Sequence, residues 1–137
     1  MYLLDTNIVS ELRRVRPHGP VIAWLRDIRD EDLHVSAVTI GEIQSGIEIT
    51  REQDEAKAAE IEAWLEQVTE TYNVISMDAR AFRSWARLIH RRTDDLIEDA
   101  MIAATAAVHN LTVVTRNVRD FEVFNVPTLN PFDAKNG

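Results

Sequence analysis

The sequence predicts an α/β fold in which a central, mainly parallel sheet of four to five strands is flanked by helices. Three observations predict it. Short apolar runs alternate with segments of helical periodicity along the whole chain. Those runs, such as LTVVT at 111–115, are apolar or β-branched on both faces, as strands of a sheet covered on both sides must be. Finally, AMIAATAAV at 100–108 is small or apolar in every direction, the pattern of a buried helix. A chain of 137 residues is the usual size of one domain, so a single domain over 1–137 is expected, without repeats or linkers.

The elements follow in order. Tyr2 to Leu4 is an opening strand that ends on Asp5, and 8–14 reads as a short helix broken by RPHGP at 16–20. Pro20 fits the first turn of a helix over 20–29 with Val21, Trp24, Leu25 and Ile28 on one face. A strand is expected at 33–38, then a helix from Thr39 with Ile40, Ile43 and Ile47 at helical spacing. Residues 51–72 form one long amphipathic helix whose apolar stripe is Ile61, Trp64, Leu65, Val68 and Tyr72. A strand at 74–77 leads to a helix that turns Phe82, Trp85, Ala86 and Ile89 inward, followed by the buried helix at 96–109 and a strand at 111–115. A last short strand is expected near 123–126, before Pro127 and a polar tail.

Charge narrows the function. The net charge of −8, from 23 acids and 15 Lys and Arg, argues against a protein that grips nucleic acid through a broad basic face, because such binding displaces counterions with cations. The acids concentrate at 51–70, while 13 of the 15 cations are arginine, clustered at Arg13, Arg14 and Arg16 and at Arg87, Arg91 and Arg92. Arginine suits bidentate contact with phosphate or carboxylate, although solvated helix faces explain such clusters equally well. No apolar stretch approaches the roughly 20 residues of a membrane span, the first residues lack the basic and then apolar regions expected of a signal peptide, and there is no cysteine. A cytoplasmic protein is expected, with no membrane contact.

In open α/β sheets, ligands bind beyond the carboxyl ends of the strands. Asp5 follows the first strand, Glu42 lies a helical turn beyond the second, Asp78 follows the third, Asn117 and Asp120 follow the fourth, and Asp99 opens the buried helix. Most have a structural reading: Asp5 or Asn7 as a helix cap, Thr39 with Glu42 as a capping box, Asp78 as the cap of the helix behind it. Asp99 resists one. Its helical neighbours Asp95, Leu96, Ile102 and Ala103 include no cation, and a buried carboxylate must be protonated, paired from afar or bound to a metal. Carboxylates without histidine or cysteine beside them favour Mg²⁺ or Mn²⁺ over zinc. Mg²⁺ usually binds through one or two carboxylates plus a substrate phosphate, so the ion reconciles an acidic pocket with an anionic substrate.

Four segments, LLDTNIVSE at 3–11, VSAVTIGEI at 35–43, EDAMIAATA at 98–106 and TVVTRNVRDF at 112–121, together resemble the PIN-domain nucleases. Within that family the chain is most similar to the VapC toxins of type II toxin-antitoxin pairs, and to their FitB-like branch. The resemblance implies a three-layer α/β sandwich, an Mg²⁺ site (Mn²⁺ being the alternative) and endonuclease activity on RNA. Asp5, Glu42 and Asp99 match the family's first three acids. For the fourth, some relatives place the acid where this chain has Asn117, whereas the N-x-x-D arrangement gives the charge to Asp120; Asp120 is expected to assist with Asn117 close by. Thr6 and Thr115 are expected to orient ligands or phosphate. By resemblance Asp5 and Asp99 hold the metal, Glu42 and Asp120 position a water or second ion, and hydrolysis leaves a 5′-phosphate and a 3′-hydroxyl. The resemblance further implies a VapB-like antitoxin that alone contacts DNA, and a homodimer. The apolar faces of the 20–29 and 51–72 helices stand as docking surfaces for the antitoxin or as core.

Two other classes were weighed. A phospho-acceptor receiver domain also bears acids at strand ends, but it needs an acidic pair after the first strand and a lysine after the last, and Lys57 and Lys135 are neither so placed. A non-catalytic partner protein that kept the fold and works by binding is the other alternative.

Overall fold

In the computed structural model, which describes residues 1–133, five parallel strands lie in the order β3-β2-β1-β4-β5. They are β1 (Tyr2–Leu4), β2 (Leu33–Ser36), β3 (Asn73–Ile75), β4 (Thr112–Val114) and β5 (Thr128–Leu129). Seven helices cover them: α1 (Thr6–Glu11), α2 (Gly19–Arg26), α3 (Ala37–Arg51), α4 (Glu55–Thr71), α5 (Ala79–Ile89), α6 (Ile97–His109) and α7 (Val118–Glu122). Tyr2 pairs with Leu33 on one side and with Thr112 on the other, so the N-terminal strand is the centre of the sheet.

Alternation along the strands makes the three layers. Leu3 and Val113 point into a core built with Ala100, Ile102, Ala103 and Phe121, whereas Leu4 and Val114 point to the opposite face, against Ile8, Val21, Val35 and Val68. Burial on both faces explains the unbroken apolar strands. A third, smaller cluster, Ile47, Ala58, Ile61 and Leu65, is internal to the α3–α4 hairpin. Helix α6 ends at Asn110, whose left-handed backbone (φ 56°) lets the Leu111 N–H reach back to the Ala106 carbonyl at 2.8 Å and turns the chain into β4.

Several boundaries differ from the sequence reading. Ser36 caps α3 through the Val38 N–H at 3.1 Å, so the helix begins at Ala37, β2 stops at Ser36, and the Thr39 capping box is not used. The long helix expected at 51–72 forms as α4 but begins at Glu55, because α3 continues to Arg51 and Asp54 caps α4 through the Lys57 N–H. Arg51 joins the two by pairing with Glu48, Glu55 and Glu62. On α5 the inward residues are Ala81, Trp85, Leu88 and Ile89; Phe82 and Ala86 are exposed. No strand forms at 123–126. Phe121 and Phe124 are buried three residues apart, a helical spacing satisfied by α7 and the turn after it, and β5 follows Pro127 instead. The apolar faces of α2 and α4 are core: Trp24 packs edge-on to Tyr2 with ring centroids 5.0 Å apart, and Ile61, Leu65 and Val68 are buried. The end of the polar tail lies outside the described residues.

Candidate functional site

With strand order 3-2-1-4-5, the winding of the sheet reverses between β1 and β4, and a crevice opens there at the carboxyl ends of the strands. Asp5 stands in it. Its N–H bonds the Val114 carbonyl across the sheet at 2.9 Å, and only 6% of the residue is exposed. Its Oδ1 accepts from the Thr6 N–H at 2.8 Å, and its Oδ2 from the Thr115 hydroxyl at 2.8 Å and the Asn7 amide at 3.1 Å. Asp5 is thus the N-cap of α1 and more than a cap, because a cap needs neither Thr115 nor Asn7.

These partners are themselves held. The Thr115 hydroxyl accepts from the Asn117 N–H at 3.0 Å, and Asn7 Oδ1 accepts from the Arg116 N–H at 3.1 Å, so the start of α1 and the β4–α7 loop are tied together. The Thr6 hydroxyl faces the other way, toward α3. It donates to Glu42 Oε1 at 3.1 Å and is hydrogen-bonded to the buried Thr39 hydroxyl at 3.1 Å. Thr39 and Glu42 therefore serve this network in place of the helix terminus.

Asp99 lies in the first turn of α6, half-buried, and no donor reaches its carboxylate among the described residues. Burial, with the charges of Asp5, Asp120, Glu42 and Glu98, pushes its carboxyl up to about 6. Asp5 is also raised, by burial and by the charge of Asp120, against the opposing pull of its hydrogen bonds. Glu42 is raised by burial and by the charges of Asp5 and Glu98, with Thr6 opposing. Acids distant in sequence, at 5, 42 and 120, thus all bear on the charge of Asp99. Asn117 and Asp120 flank the crevice on an exposed loop and the first turn of α7. Asp78 stays outside, capping α5 through the Ala81 N–H at 3.0 Å. A groove of about 570 Å³ between α3 and α6, lined by Glu42, Glu98, Ser45 and Met101, opens beside the acids.

Sequence reasoning overlooked Asn7 and Thr39 as members of the network and Glu98 as a fourth charge on Asp99. The signal for Asn7 was its place two residues after Asp5 at a strand end, where an amide can donate to one loop and accept from another.

The donor set suits a hard cation, since the side chains beside Asp5 and Glu42 offer carboxylate and hydroxyl oxygens and include no histidine or cysteine. Among the described residues no three acids close into a ready cage. That fits a hydrated Mg²⁺, which takes one or two carboxylates and keeps waters, better than a fully protein-ligated ion.

Comparison with known proteins agrees with this geometry. A family profile described as PIN domain matches residues 2–125. Toxin FitB of Neisseria gonorrhoeae is 33% identical over 96% of this chain and 99% of its own, and VapC ribonuclease Y4jK of Sinorhizobium fredii is 31% identical over 97% and 99%. Among solved structures, FitAB bound to an IR36 DNA fragment superposes with a TM-score of 0.83 at 30% identity, covering 97% of this chain and 96% of the other.

Proposed function

The chain belongs to the PIN domain family, and from that premise we propose that it is the Mg²⁺-dependent endoribonuclease toxin of a type II toxin-antitoxin pair. The observation that supports this best is the convergence on one crevice of Asp5, Glu42 and Asp99, whose carboxyls are all raised, by burial first and then by neighbouring acids that include Asp120. Such a cluster is a site waiting for positive charge. The relatives named as a toxin and a ribonuclease, and the FitAB complex on DNA, support the same reading and its partners.

In this reading Asp5 and Asp99 would hold the ion, which would supply Lewis acidity toward the scissile phosphate and lower the pKa of a water toward neutrality. Thr115, Thr6 and Asn7 fix the orientation of the Asp5 carboxylate, so no reorganisation is needed when the ion and the RNA arrive. Glu42, held by Thr6, would accept a proton from the attacking water, and Asp120 would help to position that water. The water oxygen bonds to phosphorus, the bond from phosphorus to the 3′-oxygen breaks, and that oxygen takes up a proton. A 5′-phosphate and a 3′-hydroxyl result, without a covalent enzyme intermediate.

The remaining elements of the reading are a single PIN-like domain over 1–137, a VapB-like antitoxin that alone contacts DNA, a homodimer and a cytoplasmic location. No helix among the described residues is long and apolar enough to cross a membrane. The test is cleavage of a mixed single-stranded RNA pool by purified protein. Cleavage with Mg²⁺ is expected to vanish with EDTA and in Asp5→Asn. Products unaffected by both would sink the nuclease.

A further inference from the structure

Beside the acids lies a second concavity, about 420 Å³, lined by Arg116, Asn117, Arg119, Asp120 and Asn130. This volume falls within the roughly 300–1,000 Å³ of small-ligand sites. Among the described residues neither Arg116 nor Arg119 forms an ion pair, although acids outnumber cations 23 to 15 in the chain. Arg116 is also held in place. Its guanidinium carbon lies 4.7 Å from the centre of the Phe132 ring, and that ring stacks on His18 at 5.2 Å. Its backbone N–H is bound by Asn7, the residue whose amide donates to Asp5. Arg116 is therefore fixed relative to Asp5 through one intervening side chain, and stacking on an aromatic ring reduces the freedom a guanidinium must lose on binding.

Resting on the ribonuclease reading, we propose that Arg116 and Arg119 form a phosphate subsite that holds the backbone of single-stranded RNA one or more nucleotides from the scissile bond. The need for it is electrostatic. A polyanion entering a crevice lined by four acids is repelled wherever the cation does not reach, and a local pair of guanidiniums offsets that repulsion without a broad basic face. The planar fork of arginine matches the paired oxygens of a phosphodiester, and Asn117 in the same wall adds a neutral polar edge.

The experiment uses Arg116→Ala, Arg119→Ala and Arg116→Lys, each in wild type for cleavage kinetics and in Asp99→Asn for binding of a fluorescein-labelled single-stranded RNA. Each alanine variant is expected to raise KM and the dissociation constant about tenfold, with kcat within about twofold, as for loss of one charge-assisted contact. The slope of log affinity against log salt should become shallower by about 0.7 per arginine removed. Arg116→Lys should keep the slope but recover only part of the affinity, because lysine keeps the charge and loses the fork and the stacking. Unchanged KM and slope in both alanine variants, with wild type still cleaving, would overturn the subsite and leave the nuclease standing. A defect confined to kcat would also overturn it, since the guanidinium would then act on the reacting phosphate. Arginine-dependent binding without cleavage by wild type would keep the subsite and sink the nuclease. Loss of both binding and cleavage in wild type would sink both.

Discussion

The two acids assigned to the metal are supported in opposite ways. Asp5, at the rim of the sheet, is nearly enclosed and receives three hydrogen bonds from α1 and the β4–α7 loop. Asp99, at the start of α6, is half-open to solvent, receives no hydrogen bond among the described residues and is pushed up to about 6 by burial and surrounding charge. One carboxylate is pre-oriented by the protein; the other is left to be satisfied by what binds. The difference teaches that, if the two acids hold the proposed ion, the work is divided between a fixed carboxylate that would set position and an unsatisfied one that would supply affinity.

The largest expected effect tests the unsatisfied half. Asp99→Asn should lower RNA cleavage by about 10³-fold, the equivalent of several kcal/mol of lost metal assistance. Its melting temperature should not rise with millimolar Mg²⁺, whereas that of wild type should. Cleavage and a Mg²⁺-dependent melting shift that both survive in this variant would erase the contrast with Asp5.

The next effect tests the fixed half. Thr115→Val removes the 2.8 Å donor to Asp5 at almost constant volume and also strips an acceptor from the Asn117 N–H. Loss of an orienting partner predicts a roughly 10- to 100-fold fall in activity or metal affinity. Leaving buried polar groups unmatched should cost about 1–3 kcal/mol in denaturant unfolding. If activity falls while stability is untouched, the Asp5 bonds are purely orienting.

The smallest effect is one of slope. Because the folded protein binds a proton at Asp99 more tightly than the unfolded chain, stability of the metal-free form should fall as pH rises from the ordinary 3.8 to about 6, and show no further change from this group above that. Asp5 and Glu42, also raised, contribute with the same sign. In Asp99→Asn the slope should flatten, and the variant should equal or exceed wild type by ~1 kcal/mol near pH 7, a figure already reduced for the exposed part of the side chain. Unfolding measured in EDTA at several pH values checks this. A slope that rises with pH, or is the same in both proteins, would mean that Asp99 has a partner in solution.

Much of this arrangement was legible in the sequence, for identifiable reasons. Strands buried on both faces cannot hide their composition, so four of the five strands were placed and the sheet was recognised as parallel. Asp99 stood out because its helical neighbours offered no cation. Asp5, Glu42 and Asp120 were found from their places after strands, which a parallel sheet brings to one edge. What was hidden depends on contacts between distant segments. Ser36 outcompetes Thr39 as a cap because the Thr39 hydroxyl is taken by Thr6, 33 residues earlier. Residues 123–126 look like a strand locally, yet Phe121 and Phe124 are drawn together into the core beneath α6. Phe82 is apolar but lies off the face that α5 turns to α6, a phase that residue type alone does not fix. The later start of the 51–72 helix, at Glu55, rests on the Asp54 cap, a short signal inside a strongly helical stretch.

The central place of the N-terminal strand has a consequence for the order of events during synthesis. Asp5 leaves the ribosome among the first residues, but the hydroxyl that fixes it belongs to Thr115, 110 positions later, and β1 has an empty side until β4 arrives. At about 5–20 residues per second, the carboxylate spends on the order of 5–20 seconds without its partner. No nascent or prematurely terminated chain that stops short of β4 contains the crevice, whatever its other helices have formed. If the crevice is the proposed ribonuclease site, the chain is inert until nearly all of its message has been translated, and its emerging part poses no hazard to the RNA that encodes it.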